Sequence, residues 1–103
     1  MSTCTEHTYA VQIPSAAIAP GTAVTIPTDE AQDFVFITVF NESDKGVKVN
    51  YTTEDGGGVM FIVPSGFTNT RKTHSPIVND SIKINSVDLV LAASGNITVN
   101  LGN

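Results

Sequence analysis

His7, His74 and Cys4 are the residues of this 103-residue chain whose chemistry best suits a transition metal. A zinc site draws its ligands as two pairs, each with members about two to five residues apart. Cys4 and His7 make one such pair and no second pair exists, so no bound metal is expected. Asp29, Glu30 and Asp33 fall close together, and Asp44, Glu54 and Asp55 occupy other polar stretches. None of these stretches carries the central glycine and terminal glutamate of a calcium loop, and solvated loop carboxylates are the expectation. Ser65 and Ser94 each precede a glycine. A nucleophilic serine also needs a base, an oxyanion hole and the sharp elbow that presents it, and that signature is missing. The triglycine Gly56 to Gly58 lacks the following Lys-Ser/Thr that lets a glycine loop hold phosphate. No catalytic residue and no cofactor is expected, and the chain is read as non-enzymatic.

Recognition chemistry has better candidates. Tyr51 beside Asn50 places an aromatic face next to an amide, a platform on which a sugar could stack and hydrogen-bond. Arg71 and Lys72 set two cations side by side. These four are the candidate ligand or interface residues. The plainer alternative makes Tyr51 a core-margin residue with its hydroxyl in water, and makes Arg71 and Lys72 guards against pairing between sheets. The net charge is −5, from ten acidic and five basic residues. Six of the acids and none of the lysines or arginines lie in positions 1 to 44, so a basic stripe that could track phosphates is absent. The expected partners are other protein subunits, with a glycan as the alternative and neither nucleic acid nor membrane involved.

The elements that must carry these residues are strands. The chain has 21 valines and isoleucines against three leucines, together with 13 threonines, a balance that favours strands over helices. Sustained helical periodicity is absent. Phe34 to Phe40 is the expected central strand, with Phe34, Phe36 and Phe40 on one face and Val35, Ile37 and Val39 on the other, so that both faces demand cover. Val59 to Val63 is likewise apolar at every position and reads as a second sheet centre. The alternating stretch Val47 to Thr52 reads as a strand paired with the central one through a hairpin over Asn41 to Gly46.

Further strands are expected at Glu6 to Ile13, Thr22 to Ile26, Phe67 to Lys72 as a polar edge, Ser81 to Asn85, Val87 to Leu91 and Ile97 to Leu101. Ile18 is expected to dip back onto the core, and Ile77 and Val78 to form a short extended piece in the loop around Pro76. Eight or nine short strands with turns every ten residues or so describe an all-β, two-sheet antiparallel sandwich. Periodicity does not separate an immunoglobulin-like from a jelly-roll topology. Residues 6–103 form the single sandwich domain and 1–5 an N-terminal arm, whose small polar residues need a partner on another chain to become ordered.

One cysteine excludes an internal disulfide, and nothing ahead of it reads as a signal peptide or membrane span, so a reducing cytoplasm is the expected place of synthesis. The four glycosylation sequons, at Asn41, Asn50, Asn79 and Asn96, would then go unused.

From Phe34 to Asn103 the chain resembles the small accessory and decoration proteins of tailed bacteriophage particles. The shared marks are a strand ending VFNES, the alternating VKVNY, a glycine-rich tip, the turn VPSG and the closing strand ITVNLG. The resemblance implies an immunoglobulin-like or jelly-roll domain that works by attachment within a virion, as a homo-oligomer or on a capsid or tail protein, with no catalytic residues to carry over. A lectin-type carbohydrate-binding module is the alternative function.

Overall fold

The computed structural model describes residues 8–28, 33–87 and 94–103. Alternation of apolar and polar residues yields eight strands: β1 (Thr8–Pro14), β2 (Val24–Thr25), β3 (Phe36–Ser43), β4 (Val47–Thr52), β5 (Gly58–Val63), β6 (Thr68–Lys72), β7 (Lys83–Ser86) and β8 (Gly95–Gly102). A single 3-10 turn, Ser15–Ala17, follows Pro14. One four-stranded sheet runs β1-β8-β3-β6 and the other β2-β7-β4-β5.

The order follows from one folding rule. Strands pair antiparallel as β1 with β8, β2 with β7, β3 with β6 and β4 with β5, as in one long hairpin bent over itself. Lateral pairings of β3 with β8 and β4 with β7 then close the two sheets. This is the jelly roll, two interlocked Greek keys, and it decides the choice that periodicity left open.

The core lies between the sheets. Ile13, Ile37, Val39, Ile97, Val99 and Leu101 come from the first sheet, and Val47, Val49, Tyr51, Phe61, Val63 and Ile84 from the second. Ile18, Ile26, Phe34 and Ile77 enter from connections and close the ends. Ile18 does dip into the core, and Ile77 does bridge to Thr53 as a short extended piece.

Several expectations are corrected. β3 is interior to its sheet, but only one of its faces is core: Ile37 and Val39 are buried, whereas Phe36 is 38% exposed and Phe40 half-buried on the outer face. A two-layer sandwich has no third layer to cover that face. Phe34 is buried because it precedes the strand and closes the end of the core, stacked on Tyr9 at 6.3 Å. β5 is an edge strand, paired only with β4 among the described residues. Its Val59, Phe61 and Val63 face the core, while Met60 (59% exposed) and Ile62 (51%) face outward. β3 and β4 form no hairpin, because the chain crosses from one sheet to the other between Ser43 and Val47. β7 ends at Ser86 and Val87 is exposed, and residues 88–91 of the strand expected there lie outside the described residues. The polar edge is borne out as β6.

The crossover has its own chemistry. Asn41 and Ser43 continue the inward-facing row of β3 and are buried. Asn41 Nδ2 donates to the carbonyls of Lys45 (2.8 Å) and Val63 (2.9 Å), and its Oδ1 accepts from the Ser43 hydroxyl (2.6 Å) and amide (3.1 Å). Lys45, 3% exposed, sends its ammonium to the Ile18 carbonyl at 3.0 Å. Asp44 ties the connection to its surroundings, accepting from the Ser15 hydroxyl at 2.9 Å and the Ser94 amide at 3.0 Å. It is a structural clip rather than a solvated loop carboxylate. Ser65 is structural too, donating to the Ser43 carbonyl at 2.6 Å.

Candidate functional site

β5 and β6 are the outermost strands of their two sheets on one flank of the sandwich, and the functional candidates gather there. β6 alternates Thr68, Thr70 and Lys72 outward with Asn69 and Arg71 half-buried and inward, opposite the buried Val39 and Ile37. Arg71 closes the gap between the sheets. Its guanidinium carbon lies 4.8 Å from the centroid of the Phe61 ring on β5, a cation–π contact, and Nη1 donates to Asn69 Oδ1 at 2.6 Å and to the Thr70 carbonyl at 3.2 Å. Lys72 points outward, its ammonium 5.6 Å from the centroid of the Phe36 ring.

At the end of this flank, the β4–β5 turn and residues 71–75 enclose an open recess of about 200 Å³ lined by Tyr51, Thr53, Asp55, Arg71, Lys72 and His74, among others. Thr53 and Gly57 hold Asp55 there: the Thr53 hydroxyl and the Gly57 amide both donate to Oδ1, keeping the carboxyl below its usual 3.8, and His74 adds a smaller electrostatic contribution. Burial raises the Tyr51 hydroxyl above its ordinary value of 10.0, and the Arg71 charge works against that rise. The phenol is therefore a neutral donor at physiological pH.

Three of the four sequence candidates, Tyr51, Arg71 and Lys72, thus meet at one recess. Asn50 does not: it lies on the outer face of the second sheet, beside Met60 and Lys83 in a separate shallow groove. The sugar platform is overturned. Tyr51 is 2% exposed and its ring belongs to the core, because it shares the inward row of β4 with Val47 and Val49. The most exposed aromatic is Phe67 (62%), in the turn before β6. Met60 and Ile62 went unseen as surface residues, since a run apolar at every position does not reveal which of its faces lacks a second layer. Among the described residues no three His, Cys, Asp or Glu side chains cluster as metal ligands. Cys4, His7, Asp29 and Glu30 lie outside them.

No protein-family model matches the chain, and no curated protein matches it. A solved structure does: a chain of Bacillus endospore appendages, described as a novel family of disulfide-linked pili. The match has a TM-score of 0.60 and 16% identity over 99% of this chain and 95% of that one. What is shared is the fold. With both chains covered almost end to end, the likeness extends over the whole sandwich rather than a fragment of it. The expectation of a bacteriophage particle protein rests on the sequence resemblance alone.

Proposed function

We propose that this protein is a non-catalytic structural subunit that acts by protein–protein contact, self-associating into an assembly of the appendage kind through its β5 flank. The observation that carries the reading is β5 itself. An edge strand presents unpaired amides and carbonyls to any incoming strand, and soluble proteins blunt such edges with charge, proline, bulges or shortness. β5 has six residues, GVMFIV, without a charge or a proline, and two of its outward side chains are large and apolar. The neighbouring edge, β6, carries Arg71 and Lys72 and is protected in the usual way. A flank with one guarded and one open edge suits a specific strand-to-strand contact with another chain. The whole-chain match to an appendage subunit supports the same reading through the fold.

A covalent polymer like the disulfide-linked one named for that neighbour does not carry over. A chain with a single cysteine closes at most one disulfide to another chain, so homotypic oxidation stops at a dimer. Growth of an assembly would depend on non-covalent edges. Attachment to a bacteriophage particle, which the VFNES, VKVNY and VPSG stretches favour, would use the same flank with a capsid or tail protein as the partner.

Light scattering and negative-stain microscopy of the purified chain over a concentration series test the reading. Assembly is expected to rise with concentration and to be lost in Ile62→Lys, which places on β5 the kind of charge that guards β6, with thermal stability unchanged. A wild-type chain that stays monomeric at every concentration would refute self-association.

A further inference from the structure

We infer that the recess at the end of the β5–β6 flank is a carboxylate-binding site, occupied in the assembly by Glu42 of a second copy stacked head to tail. The inference rests on the self-assembly reading above. Its first support is an arginine held ready but not used. Asn69 and the Phe61 ring fix the guanidinium of Arg71, and among the described residues only Nη1 bonds to the protein and no carboxylate pairs with it. A planar fork with free donors at the mouth of a recess is the arrangement that receives a carboxylate with two parallel hydrogen bonds. Lys72, whose ammonium lies outward over the Phe36 ring, and His74 line the same recess, and the neutral Tyr51 phenol is a further donor in its lining. Asp55, the acid on the rim, has its Oδ1 engaged by Thr53 and Gly57 and stays ionised, a negative charge that the Arg71 fork must outweigh.

The occupant follows by elimination among the exposed carboxylates of the described residues. Glu54 and Asp55 belong to the turn beside the recess. Asp80 is tied to the Thr28 amide, and Asp33 adjoins Phe34, whose carbonyl accepts from Ile77 at the recess end. Glu42 alone sits at the opposite end. It points outward from β3 beside Asn96, six residues along the strand from Phe36, whose cross-strand partner is Lys72. That separation is about 20 Å at the rise of a strand. A contact between opposite ends of identical subunits is heterologous and repeats without closing, which is the symmetry of a filament.

Sedimentation velocity on the full chain over a concentration series tests the pairing. Arg71→Glu and Glu42→Arg, each alone, should raise the concentration required for assembly by about tenfold or more, and the double variant should restore it. Arg71→Gln, checked for an unchanged melting temperature, separates loss of the site from loss of packing on Phe61. Assembly of folded Arg71→Gln at the wild-type concentration overturns the inference, as does a double variant no better than the singles. If the wild type never associates, the assembly reading falls, and so does the second-copy occupant. An NMR titration with sodium acetate then decides the site: shifts of the Arg71 guanidinium Nε–H and of the Gly57 and Lys72 backbone amides, the latter lost in Arg71→Gln, leave a recess for free carboxylates, and their absence removes the site as well.

Discussion

Phe36 and Ile37 are neighbours in sequence and opposites in energetics. Ile37 is fully buried between the sheets, whereas Phe36 rests on the outer face against Lys72. Ile37→Asp would bury an unpaired carboxylate and should abolish folding. Phe36→Asp, at a position already in contact with water, should remain folded and lose about 1 kcal/mol of strand preference and ring contact. Thermal denaturation followed by circular dichroism distinguishes the two. Asp55 makes a prediction in pH. Its carboxyl titrates below 3.8 in the folded protein because the ionised form accepts the Thr53 and Gly57 hydrogen bonds. The stability this lends to the β4–β5 turn is complete above the unfolded value of 3.8 and is lost as pH falls through the depressed folded value. Amide exchange at Gly57 should accelerate relative to the rest of the sheet over that acidic window, and Asp55→Asn should remove the dependence.

At the scale of elements, the connection from β3 to β4 has the composition of a tight hairpin, NESDKG, and the behaviour of a buried strap. Asn41 is its key member, since its amide answers two backbone carbonyls and two donors of Ser43 at once. Asn41→Ala would leave several buried polar groups without partners and should destabilise the protein by about 2 to 4 kcal/mol in urea unfolding, with the slope of the transition unchanged. A hairpin turn of the same composition, exposed to water, would tolerate that change. The closing strand β8 needs Gly95 for a related reason. Its backbone is left-handed (φ +84°), and a Cβ there would run into the Glu42 carbonyl, so β8 and β3 can approach closely at that end only with glycine in place.

For the whole molecule, the pairing of β1 with β8 brings the first and last of the described strands into one sheet and sets β8 between β1 and β3. The fold therefore closes only when the last strand arrives, and most of its contacts link residues far apart in sequence. Covalent linkage plays a bounded part at this scale. A non-reducing gel of an oxidised sample should show monomer and disulfide dimer and nothing larger, and Cys4→Ser should leave concentration-dependent assembly intact. A ladder of higher disulfide-linked species would contradict the one-thiol limit.

Much of the fold was legible in the residues. The β-branched composition, the period-two alternation of VKVNY and ITVNLG, and the glycine and proline punctuation between them locate most of the described strands, their inward rows and the polar edge at β6. They do so because strand geometry sends alternate side chains to opposite faces whatever the partner strand is. What alternation does not carry is which strands become neighbours. The tertiary structure alone decided that β3 pairs with β6 and β8 rather than with β4. It also decided that VMFIV lies at an edge with Met60 and Ile62 in water, and that Tyr51 belongs to the core while Arg71 joins it across the flank. Burial is a property of the layer above a side chain, and that layer is supplied by residues far away in the chain.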